Sequence, residues 1–309
     1  MEDSPHNRER CLKDLIAVGI DFPNYPQLIE MGEQFLDELA EQNCGIVKGD
    51  GGYMLKEKEI GEPASPPGLE PYKWTVDHLK SKEILNKIKL KSSVTGPFTL
   101  ASYIKIRSGT SLFNTAISDI EIVRQLANIL SESCRVCAEN SYMISIDEPI
   151  LSVIIGRRIF FKYGEEDIIR IYNELRRSCR NRLVGTHICG TISPRLAGML
   201  LDTELDFLSH EFHDTPENFK VYDPERVSQS GKILSIGCVS SRNPKIEDVE
   251  EILGIMERSK QYGEDLIFTP DCGFKNLKVD GSRERGYRTA MKKLTNLVEA
   301  AKKFRAKYT

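Results

Sequence analysis

Four residues with metal-ligand chemistry stand at the ends of apolar runs in the second half of this chain. Leu183-Val184-Gly185-Thr186-His187-Ile188-Cys189-Gly190 closes on His-x-Cys. Side chains alternate along a strand, so His187 and Cys189 share one face of it. Glu211, in Ser209-His210-Glu211-Phe212-His213, follows the next apolar run, and Cys272 sits in Thr269-Pro270-Asp271-Cys272-Gly273. One imidazole, two thiolates and one carboxylate make a tetrahedral Zn²⁺ set. A zinc ion deprotonates a coordinating thiol, and the thiolate is the form of sulfur that attacks carbon. Such a site can therefore hold a thiol in its reactive form, and Glu211 is the only oxygen donor of the set.

The elements between these residues say how they could meet. Strand candidates fall at 15–19, 44–47, 89–94, 142–146, 182–189, 206–210, 233–239 and 265–269, and amphipathic stretches fill most of the gaps, among them 25–42, 116–140, 167–180, 246–262 and 282–304. Repeated β-α alternation implies a parallel sheet, and eight units in 309 residues imply a single α/β domain, a (β/α)8 TIM barrel. In that fold, active-site residues sit at the C-terminal ends of the strands, where Asp50, Asp147, Glu148, His187, Cys189, Glu211 and Cys272 are expected. The competing architecture is a doubly wound open sheet, but no glycine-rich dinucleotide fingerprint follows the first strand candidate. Residues 1–10 read as a flexible tail, 11–309 as the barrel, and 48–75 as a long Gly/Pro-rich loop.

Composition narrows the class further. Hydrophobic residues make up 40% and charged residues 29%, as in globular domains. A formal net charge of −3 offers no attraction to nucleic acid or an anionic membrane. No apolar run approaches the ~18 residues of a membrane span. Eight scattered cysteines fit a reducing cytoplasm better than a disulfide framework. Of these, Cys134-x-x-Cys137 lies in a helical stretch with no second pair and reads as core packing, as do Cys11, Cys44, Cys179 and Cys238.

The spacing of His187, Cys189, Glu211 and Cys272 resembles the zinc ligands of the catalytic barrel of cobalamin-independent methionine synthases. Pro270-Asp271-Cys272-Gly273, Ile146-Asp147-Glu148-Pro149 and Val94-Thr95-Gly96-Pro97 are similar to further signatures of that family, in the same order. The resemblance covers the catalytic half of the family only and is nearest to the short archaeal relatives. It implies transfer of a methyl group to homocysteine, forming methionine, with a methylcorrinoid carried by a corrinoid protein as donor. It also implies that Asp147 binds the substrate ammonium and that Glu148 lines the same site or partners the turn before Pro149. Asp21, in Val18-Gly19-Ile20-Asp21-Phe22-Pro23, and Asp50, in Lys48-Gly49-Asp50-Gly51-Gly52, occupy the places of two further substrate contacts, where the family carries Ser and Glu. His210 and His213 flank Glu211 as candidate orienting rings. Two other readings stay open: the same chemistry on another thiol such as coenzyme M, and a metal-free uroporphyrinogen-decarboxylase-like barrel.

Overall fold

The structure, a computed structural model, describes residues 2–308. Its first half comprises α1 (Pro5–Val18), α2 (Glu33–Glu41), β1 (Ile46–Gly49), β2 (Gly52–Leu55), α3 (Glu70–Ser81), β3 (Lys91–Thr95), α4 (Pro97–Tyr103), β4 (Ile104–Lys105), α5 (Ile120–Asn140) and β5 (Met143–Asp147). Then follow α6 (Leu151–Ile154), α7 (Glu165–Ser178), β6 (Leu183–Ile188), α8 (Pro194–Leu201), β7 (Phe207–Glu211), α9 (Pro224–Ser230), β8 (Ile233–Val239), α10 (Val249–Ser259), β9 (Leu266–Pro270) and α11 (Arg283–Tyr308).

Strands β3, β5, β6, β7, β8 and β9 form one parallel sheet in that order. Spatial order follows chain order, without the reversal that defines a doubly wound sheet, so the strands wind one way as in a TIM-like barrel. Helix starts are written locally. Ser4-Pro5, Ser193-Pro194 and Asp223-Pro224 each place a capping side chain before a proline whose missing N–H costs a first turn nothing. No helix among the described residues is long and apolar enough to cross a membrane.

The start of the chain departs from expectation. Residues 15–19 are the end of α1 rather than a first strand, and residues 5–10, expected as tail, are its beginning. Leu12, Leu15 and Ile16 fall on a helical stripe against the core, and Gly19 closes the helix with φ 88°, a left-handed conformation glycine adopts freely. The edge of β3 is met instead by residues 23–25: Lys91 N–H donates to Pro23 O at 2.9 Å, Tyr25 N–H donates to Lys91 O at 3.2 Å, and Asn24 bridges Lys91 in parallel. The second expected strand, at 44–47, shifts to β1 and leaves the main sheet. It pairs antiparallel with β2, which pairs with β4 in a separate three-stranded sheet. The stretch 48–75 therefore holds a tight hairpin and the first turns of α3 as well as loop. Six of the eight expected barrel strands are ordered as expected.

The two faces of the main sheet differ. Thr186 Oγ1 meets Tyr172 Oη of α7 at 2.9 Å, so that face lies under the helices, together with buried Ile144, Ile146, Val184, Ile188 and Leu208. The opposite face carries Ser145, Asp147, Gly185, His187, Ser209 and Glu211 in register across β5, β6 and β7. Gly185 leaves room there for Phe207, since a Cβ at 185 would lie 2.4 Å from the ring.

Candidate metal centre

At the C-terminal edge, Asp147, His187 and Ser209 stand side by side on β5, β6 and β7. Cys189 lies just past the end of β6, where Gly190 turns the chain with φ 80°. Cys272 lies just past β9. His187 Nε2 is 3.1 Å from Cys189 Sγ, and Cys189 Sγ is 3.2 Å from Cys272 Sγ. All three donor atoms lie within 4.8 Å of one another, each half-buried. The thiols are free, since 3.2 Å far exceeds a disulfide bond of ~2.05 Å. Residues 83 apart in sequence thus converge on one point.

The electrostatics divide the two thiols. The hydrogen bond from Cys189, reinforced by His187, pulls the Cys272 thiol well below its ordinary range against the effect of burial. The neighbouring Cys272 sulfur and burial push Cys189 up. Burial alone would lower His187, but its hydrogen bond to Cys272 and the nearby negative charge raise it. An imidazole and two thiols this close are a donor set that gains by exchanging a thiol proton for a metal cation. Ser209 Oγ lies 3.2 Å from His187 Nδ1, which turns Nε2 toward the sulfurs.

Glu211 ends β7 on the same face, only 1% exposed. It lies outside the three-donor cluster. Oε1 accepts from Arg242 Nη2 at 2.6 Å, and Oε2 accepts from Thr215 Oγ1 at 3.2 Å. Its charge still reaches Cys189, whose thiol it helps to raise. Three of the four expected ligands are therefore together, and the fourth is adjacent but held by a cation.

Asp147 stands beside His187, with Ser145 donating to Oδ1 at 2.5 Å. Burial pushes its carboxyl up against the pull of His187 and Lys91. The other expected substrate contacts are placed differently. Glu148 is fully buried and points away from the site: its oxygens accept from Phe98 N–H at 2.9 Å, Thr99 N–H at 2.7 Å and Thr99 Oγ1 at 2.6 Å. It thus caps α4 rather than lining the substrate pocket, and burial pushes its carboxyl up to about 8. Asp21 lies at the other end of the sheet, near the start of β3, in an ion pair with Arg305 at 3.0 Å. Lys87 and Lys89 line the same pocket as Asp21 and Arg305. Asp50 occupies the exposed hairpin turn between β1 and β2, outside the main sheet. Neither aspartate joins the cluster.

His210 faces the helices, with Nδ1 3.1 Å from Ile188 O and Nε2 2.7 Å from Tyr222 Oη. A carbonyl can only accept, so Nδ1 carries a proton; burial lowers the ring to about 3, which favours its neutral form. His213 bonds Asp214 at 2.8 Å, and with Asp214 and Asp271 it forms a second grouping of donor atoms. The carboxylates of that grouping are already engaged. Asp271 accepts from the N–H groups of Phe212, His213 and Asp214 at 3.0, 3.1 and 2.7 Å, and Asp214 accepts from Ser240 Oγ at 2.6 Å.

Three supporting residues escape a reading of the sequence. Asn218 donates to Gly190 O at 3.0 Å and Glu211 O at 2.7 Å, tying the ends of β6 and β7 together. Asp271 anchors the turn after β7 next to Cys272, and Gly237 makes room for it: a Cβ at 237 would lie 2.2 Å from Asp271 Oδ1. Arg242 belongs to a loop with no periodicity to mark it.

Residues 66–303 match the family model of the cobalamin-independent synthase catalytic domain. The chain belongs to this family. It is 27% identical to a methionine synthase of Methanocaldococcus jannaschii, covering 95% of this chain and 87% of that one. It is 24% identical to a 5-methyltetrahydropteroyltriglutamate–homocysteine methyltransferase of Acidithiobacillus ferrooxidans, covering 96% of this chain but 36% of that longer protein. Among solved structures, the B12-independent methionine synthase of Shewanella sp. W3-18-1, in complex with selenomethionine, matches with TM-score 0.66 at 17% identity, over 98% of this chain and 88% of that one. A structure from Listeria monocytogenes assigned to the same group matches with TM-score 0.70 at 16% identity, over 97% and 86%. These two likenesses bear on the fold, which they place with that of the family. As a member of it, the chain is a methyltransferase.

Proposed function

We propose that this protein transfers a methyl group to the thiol of homocysteine, forming methionine, at a zinc centre held by His187, Cys189 and Cys272 with Glu211 as fourth ligand. The observation that carries the proposal is the convergence of an imidazole and two thiols at 3.1 and 3.2 Å from strand ends far apart in sequence. Tetrahedral Zn²⁺ with Zn–S of about 2.3 Å and Zn–N of about 2.0 Å spaces its donors by roughly 3.5–3.8 Å, so the donors need part by only about half an ångström. Two sulfurs and one nitrogen are ligands zinc favours, and the Glu211 carboxylate, on the same face of the sheet and close enough for its charge to raise Cys189, is the oxygen donor that would complete the set. When bound, the ion supplies a Lewis acid that keeps a substrate thiol in its thiolate form at neutral pH.

The chain's own residues do the rest. Ser209 fixes the His187 ring. Asp147, beside His187 at the rim of the sheet, offers a half-buried carboxylate to the ammonium of an amino-acid thiol. This favours homocysteine over a sulfonate thiol such as coenzyme M, whose anionic end a carboxylate repels. Asp271, Asn218 and Glu148 pin the strand ends, so donor groups and substrate meet in a fixed geometry. A metal-free uroporphyrinogen-decarboxylase-like reading leaves the convergence of His187, Cys189 and Cys272 without a purpose.

The family description, independent of cobalamin, counts against the methylcorrinoid donor and its carrier protein, and the name of the longer relative specifies a methylated pteroyltriglutamate. The test pairs metal analysis with turnover. Zinc X-ray absorption on reduced protein is expected to report one nitrogen, one oxygen and two sulfurs, gaining a third sulfur with homocysteine. Methionine formation is then measured with methylcobalamin and with methyltetrahydropteroyltriglutamate separately. Protein that binds no stoichiometric zinc refutes the proposal. Zinc that never gains a sulfur from homocysteine refutes the choice of acceptor.

A further inference from the structure

We infer that Arg242 governs the fourth ligand position: its guanidinium competes with the metal for the Glu211 carboxylate and gives that carboxylate a place to go when a substrate thiolate displaces it. The inference rests on the zinc reading above and concerns what makes Glu211 exchangeable.

Three observations carry it. Glu211 is only 1% exposed, so its carboxylate has no ready access to water as an alternative partner. A buried carboxylate without a partner is costly, so a ligand at this position could leave the metal only if another cation received it. Arg242 is that cation, 2.6 Å from Oε1, while Thr215 Oγ1 covers Oε2 at 3.2 Å. The two ends of the pair are also unequal: the Arg242 side chain is 61% exposed against 1% for Glu211. The guanidinium can swing into solvent and rehydrate at little cost, but the carboxylate cannot.

The backbone around Arg242 suits a hinge of this kind. Arg242 N–H donates to Ser240 Oγ at 3.2 Å, Asn243 N–H donates to the same oxygen at 2.9 Å, and Ser240 Oγ donates to Asp214 Oδ2 at 2.6 Å. The loop after β8 is thereby pinned at its base while the guanidinium extends from it. Asp214, Asp271 and Glu247 are other carboxylates near this loop, and Glu247 accepts from Ser240 N–H at 3.0 Å and from Lys293 Nζ at 2.8 Å. Asp271 is occupied by three backbone N–H groups, and the Asp214 carboxylate by Ser240 and His213. Glu211 is thus the acid the Arg242 guanidinium meets directly. Glu211 passes between two positive partners, the metal and Arg242, and is paired in both. Arg242 is a positioning residue acting through Glu211.

The test is zinc affinity, read by competition with a chromophoric chelator on the full chain. Wild type, Arg242→Gln, Arg242→Lys, Glu211→Gln and the double variant Arg242→Gln/Glu211→Gln are compared. Removing the competitor is expected to tighten zinc about 10-fold in Arg242→Gln, with Arg242→Lys, a single-point cation, intermediate at about 3-fold. In the Glu211→Gln background, Arg242→Gln is expected to change affinity less than about 2-fold, because the pair is already broken. X-ray absorption should show homocysteine adding a sulfur with loss of the oxygen ligand in wild type, and the oxygen retained in Arg242→Gln. If Arg242→Gln fails to fold, the intermediate affinity of Arg242→Lys still decides the question. Wild-type affinity in both Arg242 variants overturns the inference while leaving the zinc site standing. Equal tightening with and without the Glu211 carboxyl also overturns it, by showing a general field effect instead of competition. Wild-type protein that binds no zinc overturns this inference and the proposed function together.

Discussion

Asp147 gives the most discriminating test of acceptor identity, and the substitution is Asp147→Asn. The side chain is held by Ser145 Oγ at 2.5 Å and stands in register with His187. Asparagine keeps its shape and can still accept from Ser145 through Oδ1, so the site should retain its form and lose only the negative charge. A charge-assisted hydrogen bond from a substrate ammonium is worth about 1.5–3 kcal/mol. At 1.4 kcal/mol per decade, that predicts a rise in KM for homocysteine of roughly 10- to 150-fold, with zinc content unchanged. The assay compares homocysteine with 4-mercaptobutyrate, the same thiol acid without its amine. Wild type should prefer homocysteine by a similar factor, and Asp147→Asn should erase the preference while leaving 4-mercaptobutyrate turnover near wild type. An equal fall for both thiols would refute the ammonium contact and would make Asp147 a partner of the His187 imidazole, not of substrate.

Other perturbations have equally direct readings. Cys272→Ser removes a proposed ligand and should lower zinc affinity more than ~100-fold, beyond the upper end of what losing a supporting partner costs; retention of tight zinc in equilibrium dialysis would exclude Cys272 as a ligand. Gly96→Ala puts a Cβ 2.2 Å from Glu148 Oε1 and 2.4 Å from its Cγ, in a fully buried side chain committed to three hydrogen bonds. Displacing it should cost about 3–5 kcal/mol and lower the unfolding midpoint by roughly 5–8 °C; an unchanged melt would show that the turn relaxes freely. His210 is neutral in the fold and lowered to about 3, so the unfolded chain binds the extra proton first as pH falls below ~6.5. Stability should therefore drop by up to about 1.4 kcal/mol per pH unit between 6.5 and 3. His210→Gln should flatten that slope in denaturant titrations at pH 7 and 5, whereas an identical slope in both proteins would mean that other groups set the acid limit.

What could be read from the sequence follows the length of the pattern that carried it. The strands holding His187 and Cys272 are bounded by turn residues and flanked by long amphipathic helices, so alternation alone put His187 and Cys189 on one face. The run at 15–19 is too short for its period to separate strand from helix. The deciding signals lay at its flanks: Ser4-Pro5 to open a helix and Gly19 to close it. Gly49-Asp50-Gly51-Gly52 is strong turn chemistry, and the hairpin it forms carries Asp50 into solvent. Phe22-Pro23 points to Asp21 as a strand-end residue, but residues 23–25 meet the beginning of β3, not its end, so the motif lies at the wrong end of the sheet for a substrate contact. Arg242 sits in Ser-Ser-Arg-Asn-Pro, where neither spacing nor periodicity announces a partner 31 residues away.

One regularity was legible in hindsight and concerns how this fold holds reactive residues still. Asp147-Glu148 and Asp271-Cys272 each set a site residue next to an acid that turns away from the site. Glu148 takes two N–H groups and a hydroxyl at the start of α4, and Asp271 takes three N–H groups after β7. Adjacent residues at a strand end point in opposite directions, so one side chain can face the chemistry while the next locks the strand end to a neighbouring turn. Each lock needs space that only glycine leaves, at Gly96 for Glu148 and at Gly237 for Asp271. A carboxylate beside a candidate site residue, with a glycine at the end of an adjoining strand, is thus better read as a brace than as a second substrate contact. By that logic Glu148 belongs to stability and Asp147 to specificity, a division that Gly96→Ala and Asp147→Asn separate by melting temperature and KM.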